Sequence, residues 1–155
     1  MKIEEIESIL KELGAYDVGH TGRKLGDHLI GTYNILKKLN APDDVCLAGA
    51  FHSVYGTNVF KKKIVDSQNR FKVQNLISPK VEKLVYLFSI VNRPKGIDTG
   101  NLIVYNTGHK IEVDDDTLEK LRLVEIANLI EQNEPLTNYS KLSEIYGNLT
   151  HARNL

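Results

Sequence analysis

The chain has too little cysteine and too little excess charge to announce its class, and each shortage excludes something. Cys46 is the only cysteine, so no intrachain disulfide can form and a reducing compartment is expected. Twenty Lys and Arg balance twenty Asp and Glu. A chain with no net charge does not offer the clustered cationic face that holds a phosphate backbone, so nucleic acid is not an expected partner. The one basic run, Lys61-Lys62-Lys63, reads as a solvated loop. No apolar run reaches membrane-spanning length, and the opening MKIEEIESILKEL is a charged amphipathic helix rather than a signal peptide. No membrane partner and a cytoplasmic location are the expectations. Also missing are a glycine-rich phosphate loop of the P-loop or Rossmann type, a serine nucleophile elbow, and any internal repeat.

What is present is ordinary for a globular protein: 155 residues, 41% hydrophobic and 26% charged, enough for one domain over 1–155 with a single core. Ile3, Ile6, Ile9, Leu10 and Leu13 recur at helical spacing and Gly14 stops them. A glycine-rich loop leads to a helix over about 25–39, and Pro42-Asp43-Asp44 opens a third that ends at Tyr55-Gly56-Thr57. Ser78-Pro79 starts a helix that is apolar nearly all round and ends at Arg93-Pro94. Asn106-Thr107-Gly108 between two short β-prone runs predicts a hairpin over about 102–113, the only β structure expected. Asp116 to Glu119 resembles a capping box opening a helix to about Gln132, and a last amphipathic helix carries Leu142, Ile145, Tyr146 and Leu149. The expected fold class is mainly α, a helical bundle with one small hairpin.

Three of the five histidines, His20, His28 and His52, fall between Gly19 and Phe60. His28 shares the inward stripe of its helix with Leu25, Thr32 and Leu36, and His52 follows Val45 and Ala48 on one face of the next. A titratable ring on an apolar face loses solvation energy unless something meets it. Two of them on neighbouring helices can converge on a common point, and neutral imidazole is a common metal ligand. Core histidines satisfied by carbonyls or hydroxyls are the bland alternative.

The pattern His28 followed by Leu47-Ala48-Gly49-Ala50-Phe51-His52-Ser53 resembles the HD superfamily. FHSVYGT (residues 51–57) and AN-x-x-EQ (residues 127–132) also resemble segments of small, uncharacterised HD-like proteins. The resemblance implies a helical bundle in which one histidine, a His-Asp pair and a later aspartate bind one or two metal ions. It further implies phosphohydrolase or, in a smaller group, di-iron oxygenase activity. The expected metal would be Zn, Fe or Mn. Here Ser53 stands where the aspartate of the pair is expected, and Asn128 where the later one is. Both anionic ligands are therefore replaced by neutral groups, although mixed carboxylate sites are what Mg, Mn and Fe favour. Zinc on His20, His28 and His52 is the chemically consistent alternative.

Without the carboxylates the same residues form a donor set: Arg23 and Arg93 with Ser53, Tyr55, Thr57 and Asn128, suited to a phosphate or carboxylate. The expectation is a pocket for a small anionic molecule, with His28, His52 and His20 as metal ligands and His20 and His52 as acid-base groups if a reaction occurs. The alternatives are a metal-free binding or sensing module, and a protein-interaction domain, a homodimer among them, with structural histidines. Catalysis is left open.

Overall fold

The structure is a computed structural model that describes residues 1–153. It is mainly helical with one two-stranded antiparallel hairpin. The first helix, α1 (Ile3–Leu13), ends where Gly14 takes a left-handed conformation, φ +91°, and its N–H returns to the carbonyls of Leu10 and Lys11. A 3-10 turn leads into β1 (Gly19–His20) and β2 (Arg23–Lys24), joined by Thr21 and Gly22 at φ 44° and 81°. Two successive left-handed residues form the tight turn whose twist suits a hairpin. Then follow α2 (Leu25–Lys38) and α3 (Asp43–Phe51). The chain continues through α4 (Arg70–Ile77), α5 (Pro79–Ile90), the short α6 (Lys95–Thr99), α7 (Asp115–Glu131) and α8 (Ser140–Arg153).

The two-stranded sheet lies at 19–24, not at 102–113; the turn at 106–108 does reverse the chain as its residues predict, though as a reversal held by one bridge and not by a second pair of strands. Ile103 and Lys110 do form an isolated bridge, but the ladder goes no further. Val104 N–H donates to the His109 carbonyl at 2.8 Å and Ile111 N–H to that of Leu102 at 3.0 Å, while the opposite edge of the same segment meets the end of α5, Asn92 N–H donating to the Ile103 carbonyl at 2.9 Å and Tyr105 N–H to that of Ile90 at 3.0 Å. The cap of α7 also differs from expectation. Asp114, two residues before Asp116, accepts from Thr117 N–H at 2.7 Å. Ser78 caps α5 as expected, accepting from Val81 N–H at 3.2 Å.

The most enclosed element is α7, which packs against α2, α3, α5, α6 and α8. One large apolar cluster joins α1 to α5 and α7 through fully buried Ile6, Leu10, Leu29, Leu36, Phe51 and Leu121. A smaller cluster of Leu39, Ile126, Leu129 and Leu142 docks α8. Asp98 on α6 assists, its Oδ1 accepting from the N–H groups of Lys141 and Leu142 at 2.9 and 3.0 Å. Among the described residues no helix is long and apolar enough to cross a membrane. Lys61, Lys62 and Lys63 are exposed, as a solvated loop should be.

Burial of α7 has a consequence for the site. Its inward faces carry Glu125 and Asn128 alongside Val124, Ile126 and Ala127. Polar groups so enclosed must find partners within the protein, and those partners lie on α2, on the turn after α3 and just past α5.

Candidate functional site

His28 is fully buried on α2 and His52 is 2% exposed just past α3. Each ring has one nitrogen committed to an acceptor. His28 Nδ1 lies 2.8 Å from Glu131 Oε1, and His52 Nδ1 lies 2.7 Å from the Gly49 carbonyl. A carboxylate and a carbonyl can only accept, so both Nδ1 atoms carry the proton, and in the neutral rings both Nε2 atoms are bare lone pairs. These two atoms face each other at 3.2 Å. Asn128 Oδ1 completes the group, 2.9 Å from His28 Nε2 and 3.1 Å from His52 Nε2. The orientation of that amide is assigned by its other end, where Nδ2 donates to Glu125 Oε1 at 3.0 Å.

Three acceptors therefore meet with no hydrogen between them. Gln132 Nε2 offers Asn128 Oδ1 one long contact at 3.4 Å and the lone pairs nothing. Such a cluster is satisfied by a cation facing all three atoms: a proton on one imidazole, or a metal ion. Burial opposes the proton. It lowers the pKa of His28 by more than the Glu131 hydrogen bond restores, and it pushes His52 well below the usual imidazole value, the neighbouring His28 adding to the effect. Nitrogen and oxygen donors about 2.1 Å from an ion and at right angles around it lie about 3 Å apart. The three observed separations fit that spacing. The outer contacts fit as well, because ligating histidines ordinarily give their second N–H to a carboxylate or a backbone carbonyl.

Spacing alone does not single out Glu131 and Glu125 as site residues, since six positions along a helix put them on different faces. Both reach the site because they flank Asn128 by one turn on either side. Glu131 is held below the normal carboxylate range: burial alone would raise it, but hydrogen bonds from Arg23 and His28 outweigh that. Gly31 permits the approach, since a Cβ there would collide with the Glu131 carboxylate. Glu125 has no exposure and takes a two-pronged contact from Arg93, Nε to Oε2 at 2.7 Å and Nη2 to Oε1 at 2.8 Å.

The expected residues are brought together unequally. His20 arrives, but as a ring stacked flat on His28 with centroids 4.2 Å apart and planes 9° from parallel. Its nitrogens face Thr21 Oγ1 and Gln132 Nε2 instead of the point between the other two rings, so the three-histidine ligand set is not formed. Among the described residues no three His, Cys, Asp or Glu side chains group to hold a metal ion; the third donor here is an amide. Burial next to His28 and Arg23 lowers the pKa of His20 to about 4. Arg23 does not clamp a ligand in the site, because Glu131 holds its guanidinium at the surface, with Nη1 to Oε2 at 3.1 Å. Tyr55 does not reach the site either. Its ring meets that of Tyr86 with centroids 6.3 Å apart, and the charges acting on its hydroxyl are those of Arg70 and Glu82, outside the site.

Ser53, Thr57, Arg93 and Asn128 do share one cavity with the three histidines, about 240 Å3 in volume, with Phe60 and Phe88 among its walls. Thr57 Oγ1 is engaged in its own turn, accepting from Phe60 N–H at 2.9 Å. Ser53 Oγ is buried in that wall with no hydrogen-bond partner. A larger concavity of about 820 Å3 lies outside the Arg23–Glu131 pair, between α1 and α2. It is a wide surface groove without convergent buried donors, and the smaller cavity is where the chemistry gathers.

The fold and site thus define a mainly α-helical domain with a small polar cavity centred on two imidazoles and an amide. Residues 9–93 match the model of a domain family of unknown function, DUF6817, and the chain belongs to that family. The matched segment carries His20, His28, His52, Ser53 and Arg93 but stops before Asn128. No curated protein and no solved structure matches the chain.

Proposed function

We propose that the chain is an HD-like pocket protein that holds one divalent metal ion on His28 Nε2, His52 Nε2 and Asn128 Oδ1, and with it binds a small anionic molecule. The observation that carries this reading is the meeting of three acceptor atoms at 2.9 to 3.2 Å with no proton to share. All three donors are neutral, so an ion held there keeps its full charge and draws an anion. A divalent ion in such a place supplies Lewis acidity toward a phosphoryl or carbonyl oxygen and lowers the pKa of bound water. The protein supplies the rest. Ser53, whose buried hydroxyl has no partner within the protein, lies in the cavity wall, Phe60 and Phe88 limit water, and the volume of about 240 Å3 restricts the occupant to a small molecule. If that molecule is a phosphate ester, His20, neutral at pH 7 and part of the same cavity lining, is the group that accepts a proton.

The neutral amide and hydroxyl at positions 128 and 53 favour a second reading, a metal-free module binding the anion through Ser53 and Arg93. One titration separates the two. Protein treated with chelator is titrated with zinc and with manganese, and phosphate and small dicarboxylates are then tested for a thermal shift with and without the ion. Metal binding lost in His28→Ala and His52→Ala, followed by a metal-dependent shift with an anion, is the expected result. An anion shift that is the same in EDTA supports the metal-free module, and no response to any ion or anion removes both.

A further inference from the structure

Asn128 presents a choice that the imidazoles alone would settle the wrong way. If its amide were turned over, Nδ2 would donate to the bare Nε2 atoms of His28 and His52, satisfying those lone pairs and closing the site to a cation. The observed orientation leaves them unsatisfied. The opposing force lies one turn back on α7, where Glu125 Oε1 takes the Asn128 N–H at 3.0 Å. A carboxylate is the stronger acceptor, hydrogen bonds to charged groups being roughly twice as strong as neutral ones, and a reversed amide would set Asn128 Oδ1 against it. Arg93 holds Glu125 in place with two contacts of 2.7 and 2.8 Å. Arg93, Glu125 and Asn128 are 7%, 0% and 2% exposed, so each depends mainly on the others for its hydrogen bonds.

We propose that Glu125, clamped by Arg93, is a positioning residue that turns the Asn128 amide oxygen toward the two imidazoles and so keeps the site open to a cation. This rests on the metal-binding reading above. The same carboxylate charge that a direct aspartate ligand would bring to the ion acts here from one turn away, on the orientation of a neutral ligand.

The test is a comparison of four full-length proteins: wild type, Arg93→Met/Glu125→Leu, Asn128→Asp, and the triple variant combining them. Zinc affinity is measured by competition calorimetry, with the melting temperature as a check on folding. The paired variant should fold and lose roughly 10- to 100-fold in zinc affinity, the range usual for outer-shell groups. The carboxylate introduced by Asn128→Asp has no N–H end to turn inward, so the triple variant should bind zinc at least as tightly as Asn128→Asp alone. An equal loss in both backgrounds would mean that Glu125 acts on general packing, and would overturn the proposal. A readout without metal keeps it distinct from the metal-binding reading. In apo protein the Nε2 15N resonances of His28 and His52 should shift in the paired variant as they begin to accept the reversed amide. A wild type that binds no zinc defeats the metal reading and leaves the orienting role to this shift; unchanged resonances in a folded variant overturn it.

Discussion

Replacing Arg93 by Met should destabilise the protein far more than replacing Arg93 and Glu125 together. The single change leaves the Glu125 carboxylate, which has no exposure, facing only the Asn128 amide in place of a two-pronged guanidinium. Removing one member of a buried ion pair costs about 3–5 kcal/mol, because the remaining charge is stranded, whereas exchanging both for apolar groups of similar volume is often neutral or stabilising. For a chain of this length each kcal/mol moves the melting temperature by about 2–4 °C, so Arg93→Met should lower it by roughly 6–20 °C. Arg93→Met/Glu125→Leu should recover most of that loss. Differential scanning calorimetry on metal-free protein, with urea titration for the free energies, measures the full double-mutant cycle. If Arg93→Met costs less than about 1 kcal/mol, the pair behaves as an exposed one, and the enclosed network around Asn128 is refuted. If the double variant is no more stable than the single one, the stranded-charge argument fails.

Acid should weaken the metal-free protein in a defined window. His20 titrates near 4 in the fold and near 6.5 when unfolded, and burial lowers His28 and His52 in the same direction. The unfolded chain therefore takes up protons that the folded one refuses; stability is full above pH 6.5 and falls as the pH drops toward 4. His20 alone contributes about 1–3 kcal/mol after allowance for solvent screening, so a melting temperature in EDTA that is flat from about pH 7 to about 4.5 would contradict the assignment. Gly31→Ala should lower stability by about 0–2 kcal/mol, since a helix propensity gain of up to about 1 kcal/mol offsets only part of the loss when the buried His28 N–H is left unpaired. Its Cβ displaces the Glu131 carboxylate, and zinc affinity should fall about tenfold as His28 loses its outer partner. Ser53→Ala removes a buried hydroxyl that has no partner. Its stability should be equal to wild type or up to about 1 kcal/mol higher, with weaker anion-induced thermal shifts; a loss of several kcal/mol would show that Ser53 is structural.

The elements that shape the site are legible where one residue type has one reason to be where it is. Gly14 at a left-handed cap and Ser78 at an N-cap before Pro79 are of that kind, as is the burial of His28 and Thr32 on one stripe. The hairpin at 19–24 has two-residue strands, too short for any alternation to show, while the turn signal at 106–108 does reverse the chain but yields a single bridge, the outer edge of that segment being bonded to the end of α5. The run Asp114-Asp115-Asp116 offers three candidate caps of one residue type, and the first of them is used. In the site, His28 and His52 follow from position, and Asn128 from the resemblance to the HD pattern. The arginines do not, because a cationic side chain reads as a ligand clamp until its carboxylate is located. A helical wheel discounts Glu125 and Glu131, because it counts angles around an axis and ignores how far a glutamate reaches. Their roles depend on α2 and the segment after α5 arriving beside α7, and that is a property of the packed chain.

Crystals soaked with manganese, or grown with zinc, and measured at the anomalous edge test the central claim most directly. The account predicts a single peak within about 2.0–2.3 Å of His28 Nε2, His52 Nε2 and Asn128 Oδ1, absent in His52→Ala. No anomalous density between those three atoms at saturating metal, with the imidazoles satisfied instead by a reversed Asn128 amide, would contradict it.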